Sequence, residues 1–248
     1  MTRRVALITG GMGGIGTAIC RRLAAMKGNE VVANCLPGYE RKDEWLAAMR
    51  AEGLHNIHAA EGDVADFQSA TAMVKHIEAA FGPVDILVNN AGIVRDNVLR
   101  KMSVDEWLAV INTNLNATFN VTRNVVEGMS ERGWGRIINL SSVNGQRGQF
   151  GQTNYSAAKA GMHGFAKALA QEVVKKGVTV NSVSPGYVAT DMVRAIRADV
   201  LEKIVAGIPM GRLAKPEEIA SLIAYLVSDE AGYITGANIP INGGMYMS

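Results

Sequence analysis

A doubly wound α/β fold is what this sequence predicts: a parallel sheet of about seven strands with helices on both faces. Three observations predict it. Short runs that are apolar at consecutive positions alternate with longer stretches of helical period along the whole chain. Runs apolar on both sides belong to strands covered on both faces, the arrangement that crossover helices give a parallel sheet. The first run ends in a cluster of glycines that opens the first helical stretch.

The opening strand covers 5–8, Val5-Ala6-Leu7-Ile8. Over 15–26, Ile15, Ile19, Leu23 and Met26 recur three and four apart, which puts them on one helix face. Further strands are expected at 31–35, 57–60, 86–88, 136–140, 178–183 and 237–239. Helical patterns lie between them over 41–52, 66–81, 104–131, 154–175 and 216–228. Right-handed crossovers through those helices give the doubly wound arrangement. Residues 187–215 are less regular and form a candidate helical flap over a substrate. No repeat, linker or low-complexity stretch interrupts the pattern, and 248 residues suit one core, so a single domain over 1–248 is expected.

Composition narrows the function. With 48% hydrophobic and 19% charged residues, the chain has ample material for a core. A net charge of +2, with no sustained basic run, argues against a nucleic-acid binder, which needs concentrated positive surface. No stretch approaches the roughly 18 apolar residues of a membrane span, and the apolar run at 5–8 is too short for a secretory leader. Cys20 and Cys35 form no CxxC pair, so reduced thiols and a cytoplasmic location are expected. The four histidines, His55, His58, His76 and His163, show no ligand spacing, and no metal is expected.

The glycine cluster is Thr9-Gly10-Gly11-Met12-Gly13-Gly14-Ile15-Gly16. Glycines let backbone approach a pyrophosphate, and the N-terminus of the following helix offers free N–H donors and a positive dipole end. This strand–turn–helix setting marks a Rossmann-type dinucleotide site. Where an NAD site places an acid at the end of the second strand, this chain has Cys35, and Arg41 follows as a cation for a 2′-phosphate. NADPH is therefore the expected cofactor.

The spacing of Thr9, Gly10, Gly14 and Gly16 resembles the short-chain dehydrogenase/reductase family. So do Asp63-Val64, Asn89-Asn90-Ala91-Gly92 and Tyr155-Ser156-Ala157-Ala158-Lys159 at the family's positions. The resemblance implies that Asp63 and Val64 contact adenine, that Asn90 ties the central strands, and that Ala91 and Gly92 border the adenosine ribose. It further implies Ser142 as the substrate-positioning serine, Asn114 as holder of a relay water, Tyr155 as general acid and Lys159 as the ribose-binding cation. Tyr155 and Lys159, four apart, share one helix face, and a nearby ammonium favours the phenolate. In 185–190, Pro185, Gly186, Val188 and Thr190 match the segment that meets the nicotinamide amide.

Loops name the substrate. The stretches 10–16, 129–136 and 142–155 are similar to those of the family's bacterial acetoacetyl-CoA reductases of polyhydroxybutyrate synthesis. That resemblance implies a CoA thioester as substrate, with Gln149, Phe150, Gln152 and Tyr187 lining the acyl pocket beside Ser142. It also implies a homotetramer built through 104–131, 154–175 and the last strand. A 3-ketoacyl-acyl-carrier-protein reductase shares the fold and chemistry, and Arg194 and Arg197 suit either acidic partner. A non-catalytic NADPH sensor would not need the full Asn114, Ser142, Tyr155 and Lys159 set.

Overall fold

The computed structural model describes residues 3–194 and 196–247. Its order is β1 (Arg4–Ile8), α1 (Gly14–Ala24), β2 (Asn29–Cys35), α2 (Lys42–Ala51), β3 (Ile57–Glu61), α3 (Phe67–Phe81), β4 (Val84–Asn89) and α4 (Val104–Ile111). After a π-helical turn over Asn112–Asn116 come α5 (Ala117–Glu131), β5 (Gly135–Leu140), α6 (Val143–Arg147), α7 (Thr153–Val173) and β6 (Val178–Pro185). The chain continues through α8 (Asp191–Arg194), α9 (Ala198–Ala206), α10 (Pro216–Leu226) and β7 (Asn238–Ile241). The strands form one seven-stranded parallel sheet in the order β3-β2-β1-β4-β5-β6-β7. This is the predicted doubly wound fold. The direction of winding reverses between β1 and β4, and a parallel sheet opens its ligand crevice at the carboxyl ends of such strands.

The strand pattern explains the two layers. Ala6, Ile8, Val31, Ala33, Ile86 and Val88 pack on one face against Ile19 and Leu23 of α1 and Ile219 and Ile223 of α10. The alternate residues Val5, Leu7, Val32 and Leu87 pack on the other face against α3, α5 and α7, through Ile77, Val121, Val125 and Ala166. Each large aliphatic side chain so buried contributes about 2 kcal/mol relative to exposure, so the register is strongly fixed. Among the described residues no helix is long and apolar enough to cross a membrane.

Two local features depart from the sequence expectation. The pattern over 104–131 is two helices, not one. At their junction the Ala117 N–H bonds to the Asn112 carbonyl, five residues back, and Asn114 turns its amide to the backbone of Ile93. Such wide turns are frequent at functional sites. The short α6 was unforeseen because five residues give no periodicity. Residues 187–215 contain α8 and α9, and their ends meet where Ala189 N donates to Ala214 O (2.8 Å) and Ala214 N to Tyr187 O (2.9 Å).

Helix α6 lies directly against α7. A Cβ on Gly145 would sit 2.8 Å from the Lys159 carbonyl carbon and 2.9 Å from Ala160 N, backbone atoms that cannot move aside cheaply. Gly145→Ala should therefore destabilise the chain by about 1–3 kcal/mol, measured as a lower urea midpoint at unchanged m-value.

Candidate active site

A cavity of about 490 Å³ opens at the carboxyl ends of β1, β4, β5 and β6. Its first wall is the glycine loop. Gly10, at φ +60°, makes the turn that L side chains resist. Asn90 holds that loop by donating Nδ2 to Thr9 O (2.8 Å) and Gly10 O (3.0 Å), and the Asn90 and Ala91 amides donate to Thr9 Oγ1 at 2.9 and 3.0 Å. Asn34, buried at the end of β2, accepts from Gly10 N at 3.2 Å.

Met12, Gly13, Gly14, Ile15 and Gly16 line the cavity where α1 begins. No side chain caps that helix and no acid stands in its first turn. A pyrophosphate fits this bare N-terminus. Further along, Asn34, Cys35, Leu36 and Tyr39 form the wall, with no carboxylate at that end. Glu61, the register neighbour of Cys35, turns to Lys42 (2.7 Å) and Gly38 N (3.0 Å).

The opposite end gathers Ser142, Tyr155, Lys159, Asn90, Ala91, Gly92, Pro185, Gly186 and Thr190. Ser142 caps α6, and its Oγ accepts from Asn144 N at 3.1 Å. Its own hydrogen is thereby left for the Tyr155 oxygen or for a ligand in the cavity. Lys159 is 3% exposed, has no carboxylate partner among the described residues and donates Nζ to Leu140 O at 2.7 Å. Burial pushes its pKa down to about 8. Burial also raises the Tyr155 phenol above its ordinary value; the Ser142 hydroxyl opposes that rise and the Asp96 charge adds to it.

In the chain alone burial outweighs the Lys159 charge at the phenol; the expected lowering counts on an oxidised nicotinamide beside the ammonium. Nζ stands 5.6 Å from the phenol ring centroid and is directed to the Leu140 carbonyl, so desolvation dominates both groups. An enclosed phenol that keeps its proton is suited to act as an acid.

Several other expected residues lie off this cavity. Thr9 and Gly11 sit behind the loop; a Cβ on Gly11 would meet Ala33 at 2.7 Å. Val64 packs in the core while Asn120 Nδ2 holds its carbonyl at 3.0 Å, and Asp63 Oδ1 accepts from Ala65 N at 2.9 Å. Val188 is buried and bridged to Ala214. Arg41 lines an adjoining hollow, is largely exposed and pairs with Glu44 at 3.3 Å. Asn114 is fully buried behind Gly92, and its amide is bonded on both sides to Ile93, at 2.8 and 2.9 Å.

The four acyl-pocket candidates do not converge on it either. Positive φ at Gly148 (+73°) and Gly151 (+78°) throws their loop outward, leaving Phe150 86% exposed. Gln149 accepts from Arg147 (3.2 Å), and Gln152 bridges Asn144 and Asp96, both at 2.9 Å. Tyr187 lines a second cavity of about 500 Å³ that shares Gly186 with the first. The Arg194 side chain lies outside the described residues, and Arg197 pairs with Asp199. Residues the sequence reading passed over include Asn34, Tyr39 and Ile93; a lone asparagine inside an apolar strand run was the available signal for Asn34.

A strand–glycine–helix loop facing a Ser142, Tyr155 and Lys159 cluster across one cavity is the arrangement of a nicotinamide-dependent oxidoreductase, and the chain belongs to the short-chain dehydrogenase family, whose model matches residues 4–201. Members of that family work with NAD or NADP. The acetoacetyl-CoA reductase of Cupriavidus necator is 61% identical over 247 residues, all of both chains. That of Allochromatium vinosum is 60% identical over 245 residues, 98% of this chain and 99% of its own. A 3-oxoacyl-acyl-carrier-protein reductase of Pseudomonas aeruginosa is 47% identical, over 99% of this chain and 98% of its own.

The low pKa of Lys159 is also a statement about stability. Its folded value of about 8 lies below the ordinary 10.5, so the unfolded chain binds the extra proton between those values and stability rises with pH there. Below pH 8 the full penalty, on the order of 3 kcal/mol, is present. Lys159→Met should gain most over the parent chain at pH 7 and lose that advantage towards pH 10.5, read from urea unfolding at several pH values.

Proposed function

We propose that the chain reduces acetoacetyl-CoA to (R)-3-hydroxybutanoyl-CoA with NADPH, supplying polyhydroxybutyrate synthesis. The observation that carries this reading is the opening of Ser142, Tyr155 and Lys159 onto the same cavity as the bare N-terminus of α1. Full-length relatives at about 60% identity that are named acetoacetyl-CoA reductase support the substrate. The end of the cavity at Cys35 supports NADPH, since no carboxylate lines the wall there and the neighbouring Glu61 is paired with Lys42. Arg41, in the adjoining hollow, supplies a cation if its weak surface pair with Glu44 yields.

When bound, the dinucleotide supplies hydride. The chain's own residues handle the oxygen. Ser142 turns its hydroxyl hydrogen to the substrate keto oxygen, and Tyr155 delivers a proton to it as general acid. Lys159 holds the ribose and, at a pKa of about 8, carries a proton that can return to the phenol. Asn114 acts by fixing the Gly92–Ile93 wall beside Lys159. Residues 187–215 are proposed to cover the substrate, bringing Tyr187 to the acyl group together with Gln149, Phe150 and Gln152. The exposed Val104, Leu108 and Phe119 support an interface on 104–131 of a cytoplasmic homotetramer, each copy a single domain.

The test follows NADPH consumption by the purified chain with acetoacetyl-CoA, acetoacetyl-acyl-carrier protein and, in parallel, NADH. A much higher kcat/KM with acetoacetyl-CoA and NADPH is expected; preference for the carrier protein would reassign the substrate. Tyr155→Phe should keep NADPH binding, read by fluorescence titration, and lose turnover by roughly 10²–10⁴-fold. Cys35→Asp should lower kcat/KM for NADPH about tenfold or more while sparing NADH, because a carboxylate would face the 2′-phosphate.

A further inference from the structure

His163 lies one turn beyond Lys159 on α7 and has no part in the chemistry described above. Its Nε2 stands 2.7 Å from Ser141 Oγ and 3.3 Å from Ser184 Oγ. Each serine hydroxyl has a single hydrogen. That of Ser141 is donated to the Lys159 carbonyl at 2.9 Å, and that of Ser184 to Asn238 Oδ1 at 2.7 Å. Both hydroxyls therefore offer only lone pairs to the ring, and Nε2 must carry a hydrogen shared between them. Burial, helped by Lys167 and Lys159, holds the ring below its ordinary pKa, so it is the neutral Nε2–H form.

The two serines occupy telling positions. Ser141 immediately precedes Ser142 at the end of β5, where its N–H also joins Val183 O at 2.8 Å. Ser184 immediately precedes Pro185 and Gly186 at the end of β6. We infer that His163 is a positioning residue whose Nε2–H ties the ends of β5 and β6 to α7, setting Ser142 and the Pro185–Gly186 wall against Tyr155 and Lys159. The inference rests on the reductase reading, since those are the groups being aligned. An apolar side chain here would strand two buried serine acceptors and free the two strand ends from one another.

Three variants of the full chain test it. A glutamine side chain places its amide nitrogen where Nε2 stands, asparagine reaches only the place of Nδ1, and leucine offers no donor. With acetoacetyl-CoA and NADPH, H163N and H163L should lose about tenfold or more in kcat with KM for acetoacetyl-CoA within about threefold, while H163Q stays within about threefold of the parent chain. Near-parental kcat in H163N overturns the inference, and so does an H163Q loss as deep as that of H163N. Should H163L fail to fold, the glutamine and asparagine pair decides alone. Amide hydrogen exchange without substrate gives a separate reading: it should quicken over 142–144 and 186–189 in H163N but not in H163Q. Unchanged exchange in H163N overturns the positioning role. Failure of the parent chain to reduce acetoacetyl-CoA would instead remove the functional reading and leave the exchange result standing.

Discussion

The site is organised about one buried amine. An ammonium taken out of water without a counter-ion is penalised by several kcal/mol, and the chain answers with a single strong acceptor, the Leu140 carbonyl. That acceptor exists only because β5 ends there: one residue earlier the strand ladder would claim the carbonyl. Helix α7 must then pass close to the mouth of β5. The closeness explains Gly145, whose missing side chain lets α6 touch the Lys159 backbone, and Gly92, which leaves room for Lys159 Nζ and Asn114.

Where the strand ladders stop, their last polar groups need new partners, and asparagines supply them. Asn34 joins β2 to the glycine loop and to Gly62 (2.9 Å), Asn90 joins β4 to β1, and Asn114 pairs with Ile93. The Asn34 and Asn114 amides each satisfy a donor and an acceptor of irregular backbone at once, as water would elsewhere, while Asn90 donates to two carbonyls. The loops around the cavity are thereby tied to the strands that deliver them, which helps the fixed geometry that hydride transfer requires.

Much of this was legible in the sequence. Consecutive apolar runs such as Val5-Ala6-Leu7-Ile8 could be covered only in a two-faced sheet, and the glycine loop and the Tyr155–Lys159 spacing located the crevice. What stayed hidden depends on contacts distant along the chain. Within the π turn at Asn112–Asn116, Asn114 bonds to Ile93, a residue 21 positions earlier. Likewise the acyl-pocket candidates carry the right chemistry, but positive φ at Gly148 and Gly151 decides where Phe150 points, and no residue pattern encodes that direction.

Burial acts in opposite senses on the two titrating groups that matter. It raises Tyr155 and lowers Lys159 to about 8, so the ammonium is the stronger acid of the pair. A lysine in that condition cannot hold its neighbour as a phenolate; the proton would leave the amine first. The chain by itself therefore presents a protonated phenol backed by a readily donated second proton, the state that reduction of a ketone consumes. Running the reaction towards oxidation needs the phenolate, which burial disfavours in the chain alone.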